Sequence, residues 1–339
     1  MWEETLLGLV SWYVRLAQIY YLLCVTFGVV AFIPEAASQR LPTLIQVLRS
    51  VLLNSVGRGR TYDRDAASRL GRGLTSFVDR ALSANVPKHW FSHFYHLAAC
   101  WNLVWLVVLG LNFSCLFGAG TVTKLLAALA HRNSLLALFC IQLHVTRRLY
   151  ENYFVHKHSK EARMQLFGYV FGLFYYIFLP ANFLREPLLK FKVTLEMIKS
   201  DRCNFDLGQN MEIFSSTFGP KHLFWFALFC FGNVMQYQSH QMLASLRKPK
   251  DEAEEGGKAR YKIPTGIWFT YVSNPHYLAE VILYVAFISL AASWSKDTIH
   301  LMSMVVMNLL LSALLTHRWY KAEFKDYPQK RYAMFPLLA

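Results

Sequence analysis

The chain carries one group of ionisable residues whose spacing suits a single helix face. In Leu143-His-Val-Thr-Arg-Arg-Leu-Tyr-Glu151, a continuing helix places His144, Arg147, Arg148 and Glu151 at i, i+3, i+4 and i+7. An imidazole, two guanidinium groups and a carboxylate on one face have two interpretations. They form a salt-bridge cluster at a membrane interface, or they line a buried pocket where Arg147 and Glu151 contact a substrate.

A second polar segment runs from Tyr261 to Glu280 and leads directly into an apolar run from Val281 to Ala292. Its hydroxyls, imidazole and carboxylate are concentrated where a loop meets the membrane. Unpaired polar groups are costly there and are usually functional. The segment therefore indicates a site and not a linker.

A third polar segment follows Phe231, in the second half of the predicted span from His222 to Ser245, which we expect to be its cytosolic half. Lipid cannot satisfy polar side chains, so this half must face protein or a water-filled cavity. Arg247 and Lys248 follow at its mouth and suit a phosphate, the first by bidentate contact and the second as a point charge. The polar residues that predict a ligand cavity are Asn233, Gln236, Tyr237, Gln238, Ser239, His240 and Gln241.

Three common catalytic motifs are absent from the sequence. It has no nucleophile elbow, no HExxH and no Walker loop, so serine hydrolysis, zinc proteolysis and P-loop chemistry have no support. The six cysteines show no CxxC spacing, which argues against a metal site or a disulfide framework. The polar groups suit a phosphate-bearing cofactor with an aromatic head. Residue types alone do not choose between a nicotinamide dinucleotide and S-adenosylmethionine.

Composition identifies the elements that must position these residues. The chain is 55% hydrophobic and 17% charged, and its apolar runs are long enough to cross a bilayer as helices. We predict an all-α integral membrane protein, a seven-transmembrane helix bundle, whose third span is short unless it begins near Leu125. The predicted spans are Leu16 to Ile33, Ala98 to Phe117, Asn133 to Val145, Leu166 to Leu184, His222 to Ser245, Tyr277 to Trp294 and Ile299 to Thr316.

The net charge of +14 lies mainly in loops on one side of these spans. By the positive-inside rule the N-terminus is lumenal and the C-terminus cytosolic. Glu3 and Glu4 replace the basic residues of a signal peptide, so we expect a retained first span. The basic loops face the membrane surface, and no nucleic-acid partner is needed to explain the charge.

Aromatic and imidazole side chains are concentrated from Val86 to Tyr95, at the entrance of the second span. Such residues form an aromatic belt at the membrane interface. Alternatively, they line a substrate entrance that includes His93 and the neighbouring Asn85. The sequence leaves both interpretations open.

Four motifs resemble the steroid 5-alpha-reductase family and, within it, the polyprenol (polyprenal) reductase branch. Tyr-Lys-Ile-Pro-x-Gly-x-x-Phe-Thr-Tyr-Val-Ser-x-Pro-x-Tyr-Leu-Ala-Glu at 261–280 and His-Arg-Trp-Tyr-Lys-x-x-Phe-x-x-Tyr-Pro at 317–328 resemble the family. Val-Pro-Lys-x-x-Phe-Ser-His-Phe-Tyr at 86–95 and Leu-His-x-x-Arg-Arg-Leu-x-Glu at 143–151 resemble the branch. The resemblance covers roughly Val86 to the C-terminus.

The resemblance implies a monomeric, multi-pass enzyme of the endoplasmic-reticulum membrane that needs no metal. Residues 1–97 would supply the first span, a basic cytosolic loop and the substrate entrance. Residues 98–339 would form a six-helix reductase core with NADPH in its cytosolic half. Its partners would be membrane lipid and a long-chain isoprenoid substrate.

The resemblance also assigns roles to individual residues. His317, in the Thr316-His-x-x-Tyr signature, is the first candidate for catalysis together with Tyr320, and His144 stands where the steroid enzymes carry a carbonyl-polarising tyrosine. Asn85 and His276 depart from the steroid branch, which has Glu and Asn there, so ordinary steroid recognition is not expected. The cofactor-binding positions implied are Arg247, Tyr261, His276 and Glu280, with Gln236 and His240 lining the same cavity and Lys248 added for its charge.

Hydride chemistry narrows the implied substrate. An isolated allylic alkene offers no place for the charge that hydride addition creates, whereas a conjugated aldehyde forms an enolate that a donor can stabilise. We therefore expect reduction of polyprenal to dolichal, with His144, Tyr320 or His317 polarising the carbonyl or supplying the proton. Reduction of polyprenol to dolichol is the second form of this activity, and either serves dolichol synthesis for protein N-glycosylation.

Three other functions remain open at this point. A very-long-chain enoyl-thioester or steroid enone reductase would share the fold and the hydride logic. A membrane methyltransferase of the isoprenylcysteine type would bind S-adenosylmethionine instead of NADPH. A non-enzymatic lipid carrier would bind isoprenoid without turnover.

Overall fold

The computed structural model describes residues 2–40, 42, 45–46, 48–49, 52–53, 84–116, 122–157, 162–189, 218–246, 262–266 and 268–336. Over these ranges the chain is mostly helical. The helices are α1 (Trp2–Ala31), α2 (Glu35–Ser38), α3 (Phe91–Leu116), α4 (Val122–Phe154), α5 (Leu166–Phe178), α6 (Ala181–Leu189), α7 (Pro220–Ser245), α8 (Pro275–Leu290) and α9 (Lys296–Glu323).

A small sheet supplements the helices. Strands β1 (Asn85–Pro87) and β2 (Arg163–Gln165) pair antiparallel, with Asn85 opposite Gln165. The sheet ties the beginning of α3 to the beginning of α5, since each helix follows its strand closely. The sequence analysis did not predict it, because three-residue strands carry too little periodicity to be recognised.

The beginnings of the last three helices follow from local sequence. Proline, which lacks the N–H that a first helical turn leaves unpaired, opens α7 at Pro220 and α8 at Pro275. At α9 the Ser295 side chain accepts a bond from the Thr298 backbone N–H. Asp297 lies in the same first turn, where the helix dipole favours a negative charge.

Among the described residues, four segments are helical, long and apolar enough to cross a membrane: Gly8–Ala31, Lys88–Gly110, Leu166–Leu184 and Lys296–Glu323. These findings fit an all-α membrane protein, but they do not confirm the count of seven spans.

The other three predicted spans also fold as helices. Buried polar or charged residues interrupt the apolar character of α4 and α7, and α8 has only 16 residues. The third predicted span is the middle of the longer helix α4, which begins at Val122.

Helices α4, α7 and α8 meet in the centre of the molecule, where Leu138, Ile141, Leu283 and Phe287 are fully buried. Gly232 lets α7 approach α8 closely: a Cβ there would come within 3.0–3.1 Å of the Leu283 side chain. One helical turn beyond Gly232 lies Gln236. This close approach therefore determines what Gln236 contacts on α8.

The C-terminal segment folds back from the end of α9 onto the loop that precedes α8. The Ser273 N–H donates to the Tyr332 carbonyl at 2.8 Å, and the Tyr332 N–H donates to the Tyr271 carbonyl at 3.0 Å. The buried side chain of Asn274 donates to the carbonyls of Ala313 and Ala333, at 3.2 and 3.1 Å. The loop, α9 and the tail are thus held as one unit.

Candidate active site

The polar face expected from residues 143–151 exists, because α4 continues to Phe154. His144 and Glu151 are both buried on it. The face points towards α7 and α8. The polar segment after Phe231 and the segment that ends at Glu280 therefore meet the polar face of α4. Together they form a group of charged and polar residues that we call the polar cluster: His144, Arg147, Arg148, Glu151, Asn233, Gln236, His240 and Glu280.

Arg147 joins α4 to α7. Its Nε donates to Asn233 Oδ1 at 2.8 Å, and one terminal nitrogen, Nη1, donates to Glu151. The other terminal nitrogen, Nη2, donates to Gln236 Oε1 and lies 3.2 Å from His144 Nδ1. Four N–H groups of the guanidinium thus have acceptors, which holds its plane in one orientation.

Arg148 takes the second carboxylate oxygen of Glu151. It also donates to the Tyr95 hydroxyl on α3 at 2.8 Å and lies 2.7 Å from His240 Nδ1. The same imidazole nitrogen lies 2.8 Å from Glu151. Glu151, with 0% of its side chain exposed, is therefore surrounded by two guanidinium groups and an imidazole.

Glu280 on α8 is the second carboxylate of the cluster. It accepts from the Gln236 amide nitrogen, which also donates to the His276 carbonyl at 3.2 Å. His144 Nε2 lies 3.5 Å from its Oε1. The Glu280 side chain is 19% exposed, so this carboxylate is partly accessible, whereas that of Glu151 is fully buried.

The charges of the cluster balance, with two arginines against two glutamates. Burying an ion pair is tolerated only when its partners and their hydrogen bonds are complete. Here each carboxylate oxygen has a donor within reach. The second interpretation of the sequence, a buried polar wall, thus describes the geometry, while contact between Arg147, Glu151 and a substrate remains a prediction.

His317 and Tyr320 lie in a different group, at the end of α9. The Ser273 hydroxyl is 2.6 Å from His317 Nδ1 and 2.6 Å from the Tyr327 hydroxyl. Tyr320 stacks on Tyr327 with their rings 5.2 Å apart and nearly parallel. Ser273 and Tyr327 were missed as single residues, although both fall within the motifs quoted above.

His276 lies between the two groups. Its ring is 5.5 Å from the His240 ring of the polar cluster. The next residue, Tyr277, belongs to a buried apolar cluster that includes Ala313 of α9 and Ala333 of the tail. The first turn of α8 therefore connects the two groups, and their catalytic and cofactor-binding roles remain predictions.

The expected entrance residues lie outside the polar cluster. Asn85 is exposed on β1, and His93 is exposed near the beginning of α3. His93 Nδ1 lies 2.9 Å from the Tyr169 hydroxyl, and Trp90 lies beside both rings. This aromatic environment suits an interface belt as well as an entrance, so the alternatives remain open.

Three predicted cofactor contacts, Arg247, Lys248 and Tyr261, lie outside the described residues. Two observations on residues that the structure describes concern a nicotinamide cofactor. Glu280 can accept from a carboxamide, because it is partly exposed. Arg147 and Arg148 already serve Glu151, which leaves recognition of a phosphate to other cations such as the two predicted ones.

A metal is a further chemical possibility for part of the cluster. Ligand atoms of Glu151, His156 and His240 lie within 4.8 Å of one another. Both carboxylate oxygens of Glu151, however, accept bonds from guanidinium groups, which would repel a cation at the same position. The geometry favours a hydrogen-bonded network over metal coordination.

Comparison with known proteins places this geometry in context. The family model of 3-oxo-5-alpha-steroid 4-dehydrogenase matches residues 205–339. The chain is 33% identical to a polyprenal reductase of Ailuropoda melanoleuca, over 75% of this chain and 78% of the relative. It is 30% identical to the Homo sapiens polyprenal reductase, over 88% and 91% of the two chains.

Similarity to a plant relative extends over nearly the whole chain. Identity to polyprenal reductase 1 of Arabidopsis thaliana is 28%, over 96% of this chain and 98% of the relative. The matched length therefore reaches into the region before Val86, beyond the part for which the motifs alone predicted a resemblance.

Proposed function

Because this chain belongs to the polyprenal reductase branch of the steroid 5-alpha-reductase family, we propose that it reduces the α-isoprene double bond of polyprenal to give dolichal. NADPH is the proposed reductant. The proposed location is the endoplasmic-reticulum membrane, with the C-terminus in the cytosol and the product serving dolichol synthesis.

The observation that carries this proposal is the contact between the buried His144 and the partly exposed Glu280 inside a charge-balanced cluster. Conjugate reduction of an aldehyde develops negative charge on the carbonyl oxygen, which an N–H donor such as that of His144 would stabilise. A donor that hydrogen bonds already hold in place needs little reorganisation when the charge appears. His144 is therefore the residue that we assign to the carbonyl oxygen.

Bound NADPH would supply the hydride. The hydride carries two electrons to carbon 3 of the aldehyde, forming one C–H bond and moving the double bond towards the oxygen. A proton then adds to carbon 2 and restores the carbonyl. In the proposed site Glu280 and Gln236 would bind the nicotinamide end, and Arg247 and Lys248 would bind phosphate. Tyr261 and His276 would also contact the cofactor, and His240 would line the same cavity.

The direct test offers purified full-length protein four substrates side by side with NADPH: polyprenal, polyprenol, a steroid enone and a very-long-chain enoyl thioester. We expect NADPH oxidation and formation of dolichal with the first substrate only. Reduction of polyprenol with polyprenal left untouched would refute the aldehyde assignment. Turnover of the thioester alone would make the chain an enoyl-thioester reductase, and binding of S-adenosylmethionine in place of NADPH would make it a methyltransferase.

The phosphate assignment has its own test. Arg247→Ala should raise the KM for NADPH much more than the KM for NADH, since only the former carries the extra phosphate. Equal changes in both constants would contradict recognition of that phosphate by Arg247.

A further inference from the structure

The orientation of Arg147 carries an inference about how His144 works. We propose that Arg147, held in place by Glu151, keeps His144 as a neutral imidazole with its proton on Nε2. His144 then stabilises charge on the substrate oxygen without supplying a proton. The catalytic meaning of this assignment rests on the proposed reductase function, but the state of the imidazole does not.

The tautomer follows from the donor inventory. A guanidinium group has only donors, so the Arg147 nitrogen 3.2 Å from His144 Nδ1 must be donating to it. Nδ1 therefore carries the lone pair and the ring proton is on Nε2. That nitrogen faces Glu280 Oε1 at 3.5 Å, so a donor faces an acceptor there as well.

Two paths of donated hydrogen bonds fix this arrangement. From Arg147 one path passes through His144 to Glu280, and the other passes through the Gln236 amide to the second oxygen of Glu280. Moving the ring proton of His144 to Nδ1 would place two donors against each other at Arg147. Exchanging the oxygen and nitrogen of the Gln236 amide would do the same.

Glu151 maintains Arg147 in this position. Its fully buried carboxylate accepts from Arg147, while Asn233 takes the Nε of the same guanidinium at 2.8 Å. Arg147 and Glu151 thus act as positioning residues for His144. This is a more specific role than the direct substrate contact expected from sequence.

The chemical consequence concerns the proton. A second proton on Nδ1 would point at a guanidinium N–H, so formation of an imidazolium requires Arg147 to move. A neutral imidazole that released its Nε2 proton would become an anion, which makes it a poor acid but a good hydrogen-bond donor. The proton that adds to carbon 2 must therefore come from another group. His317, bonded to Ser273, remains the candidate.

The distance to Glu280 leaves room for this role. At 3.5 Å the His144 Nε2–Glu280 contact is longer than a good hydrogen bond, so the N–H is available to a substrate oxygen. In the part of the chain that the structure describes, the charged groups acting on His144 are Arg147 and Arg148 on its own helix and Glu280 on α8. Among these, Arg147 alone approaches Nδ1.

Nitrogen-15 NMR of the full-length protein with labelled histidine tests the state of the ring directly. The His144 signals are assigned by their loss in His144→Gln. We expect one protonated and one unprotonated nitrogen, the former being Nε2, with no change between about pH 8 and pH 5. A doubly protonated ring within that range, or protonation at Nδ1, would overturn the proposal.

Two matched variants locate the cause. Arg147→Met should allow His144 to titrate within the same range, because the donor at Nδ1 is gone. Arg148→Met removes the neighbouring arginine, which contacts Tyr95 and His240, and should leave the His144 signals as in the wild type. Equal effects of the two changes would mean that the general positive field controls the ring and not the specific contact.

Kinetics test the role in catalysis. One neutral hydrogen-bond donor should substitute for another. His144→Phe, which has no donor, should lower kcat about 100-fold or more relative to the wild type. His144→Gln and His144→Tyr should keep a kcat at least about tenfold higher than that of His144→Phe. His144→Gln as inactive as His144→Phe, with both variants folded and binding NADPH, would refute the donor role. If the wild-type protein gives the expected NMR spectrum but does not reduce polyprenal, the proposed function is refuted and the assigned state of the His144 ring is not.

Discussion

Replacement of Glu151 by glutamine isolates the charge that the polar cluster requires. The side chain is 0% exposed, and its carboxylate accepts from both Arg147 and Arg148. Glutamine has nearly the same shape but no charge, so the variant leaves two guanidinium groups with Glu280 as the remaining carboxylate of the cluster. Removing one partner of a buried ion pair costs about 3–5 kcal/mol, and we expect a loss of folding free energy in that range.

The same chemical change at Glu280 serves as the control. That side chain is 19% exposed and accepts from the neutral amide of Gln236. Glu280→Gln should therefore lower the folding free energy by only about 1–2 kcal/mol. It should nevertheless abolish most of the activity, since Glu280 is the accessible carboxylate. Loss of stability and loss of activity are thereby assigned to different glutamates.

A double variant tests whether charge balance is the cause. Arg148→Met combined with Glu151→Gln leaves one arginine against one glutamate in the cluster, as in a balanced pair. We expect it to recover about 1–3 kcal/mol relative to Glu151→Gln alone. The measurement is denaturation of the purified variants in one lipid–detergent mixture. Equal destabilisation by Glu151→Gln and Glu280→Gln, or strictly additive effects in the double variant, would refute the reasoning.

Three further changes test the scaffold around the cluster. Gly232→Leu should force α7 away from the Leu283 side chain, costing about 1–3 kcal/mol and reducing activity, as measured by thermal unfolding and turnover. Asn274→Ala should leave the Ala333 carbonyl without its donor, costing about 1–3 kcal/mol, and limited proteolysis should then cut the C-terminal tail faster. Ala292 has φ of 49°, so Ala292→Gly should raise the unfolding temperature through a gain of about 0.5–1 kcal/mol.

Features that depend on local sequence could be predicted. The spacing of His144 and Glu151 requires only that one helix continue, and α4 does so. The polar half of α7 followed from the rule that lipid leaves polar side chains unsatisfied, and Gln236 and His240 are indeed buried against protein. Burial of polar groups is visible in sequence wherever it interrupts an apolar run.

Features that depend on how helices meet could not be predicted. His317 was expected as a candidate for catalysis from its motif, but its contacts with Ser273 and Tyr327 were not expected. The full burial of Glu151 was likewise not expected, and its contact with a substrate stays a prediction. The contacts of His317 depend on the path of the C-terminal tail, and the contacts from Arg147 through Gln236 to Glu280 depend on how α4, α7 and α8 meet; no periodicity within one helix encodes either set.

The different exposure of the two glutamates explains how a charged site can exist in a membrane protein. An accessible carboxylate is useful for binding only if the arginines near it already have other acceptors; otherwise Glu280 would pair with one of them and be unavailable. Glu151 accepts from both Arg147 and Arg148 in the interior, so that Glu280 contacts only the amide of Gln236 and, at a longer distance, His144. The buried glutamate thus keeps the accessible one free to bind. For this reason we expect substitutions at Glu151 to impair ligand binding even though its side chain is fully buried.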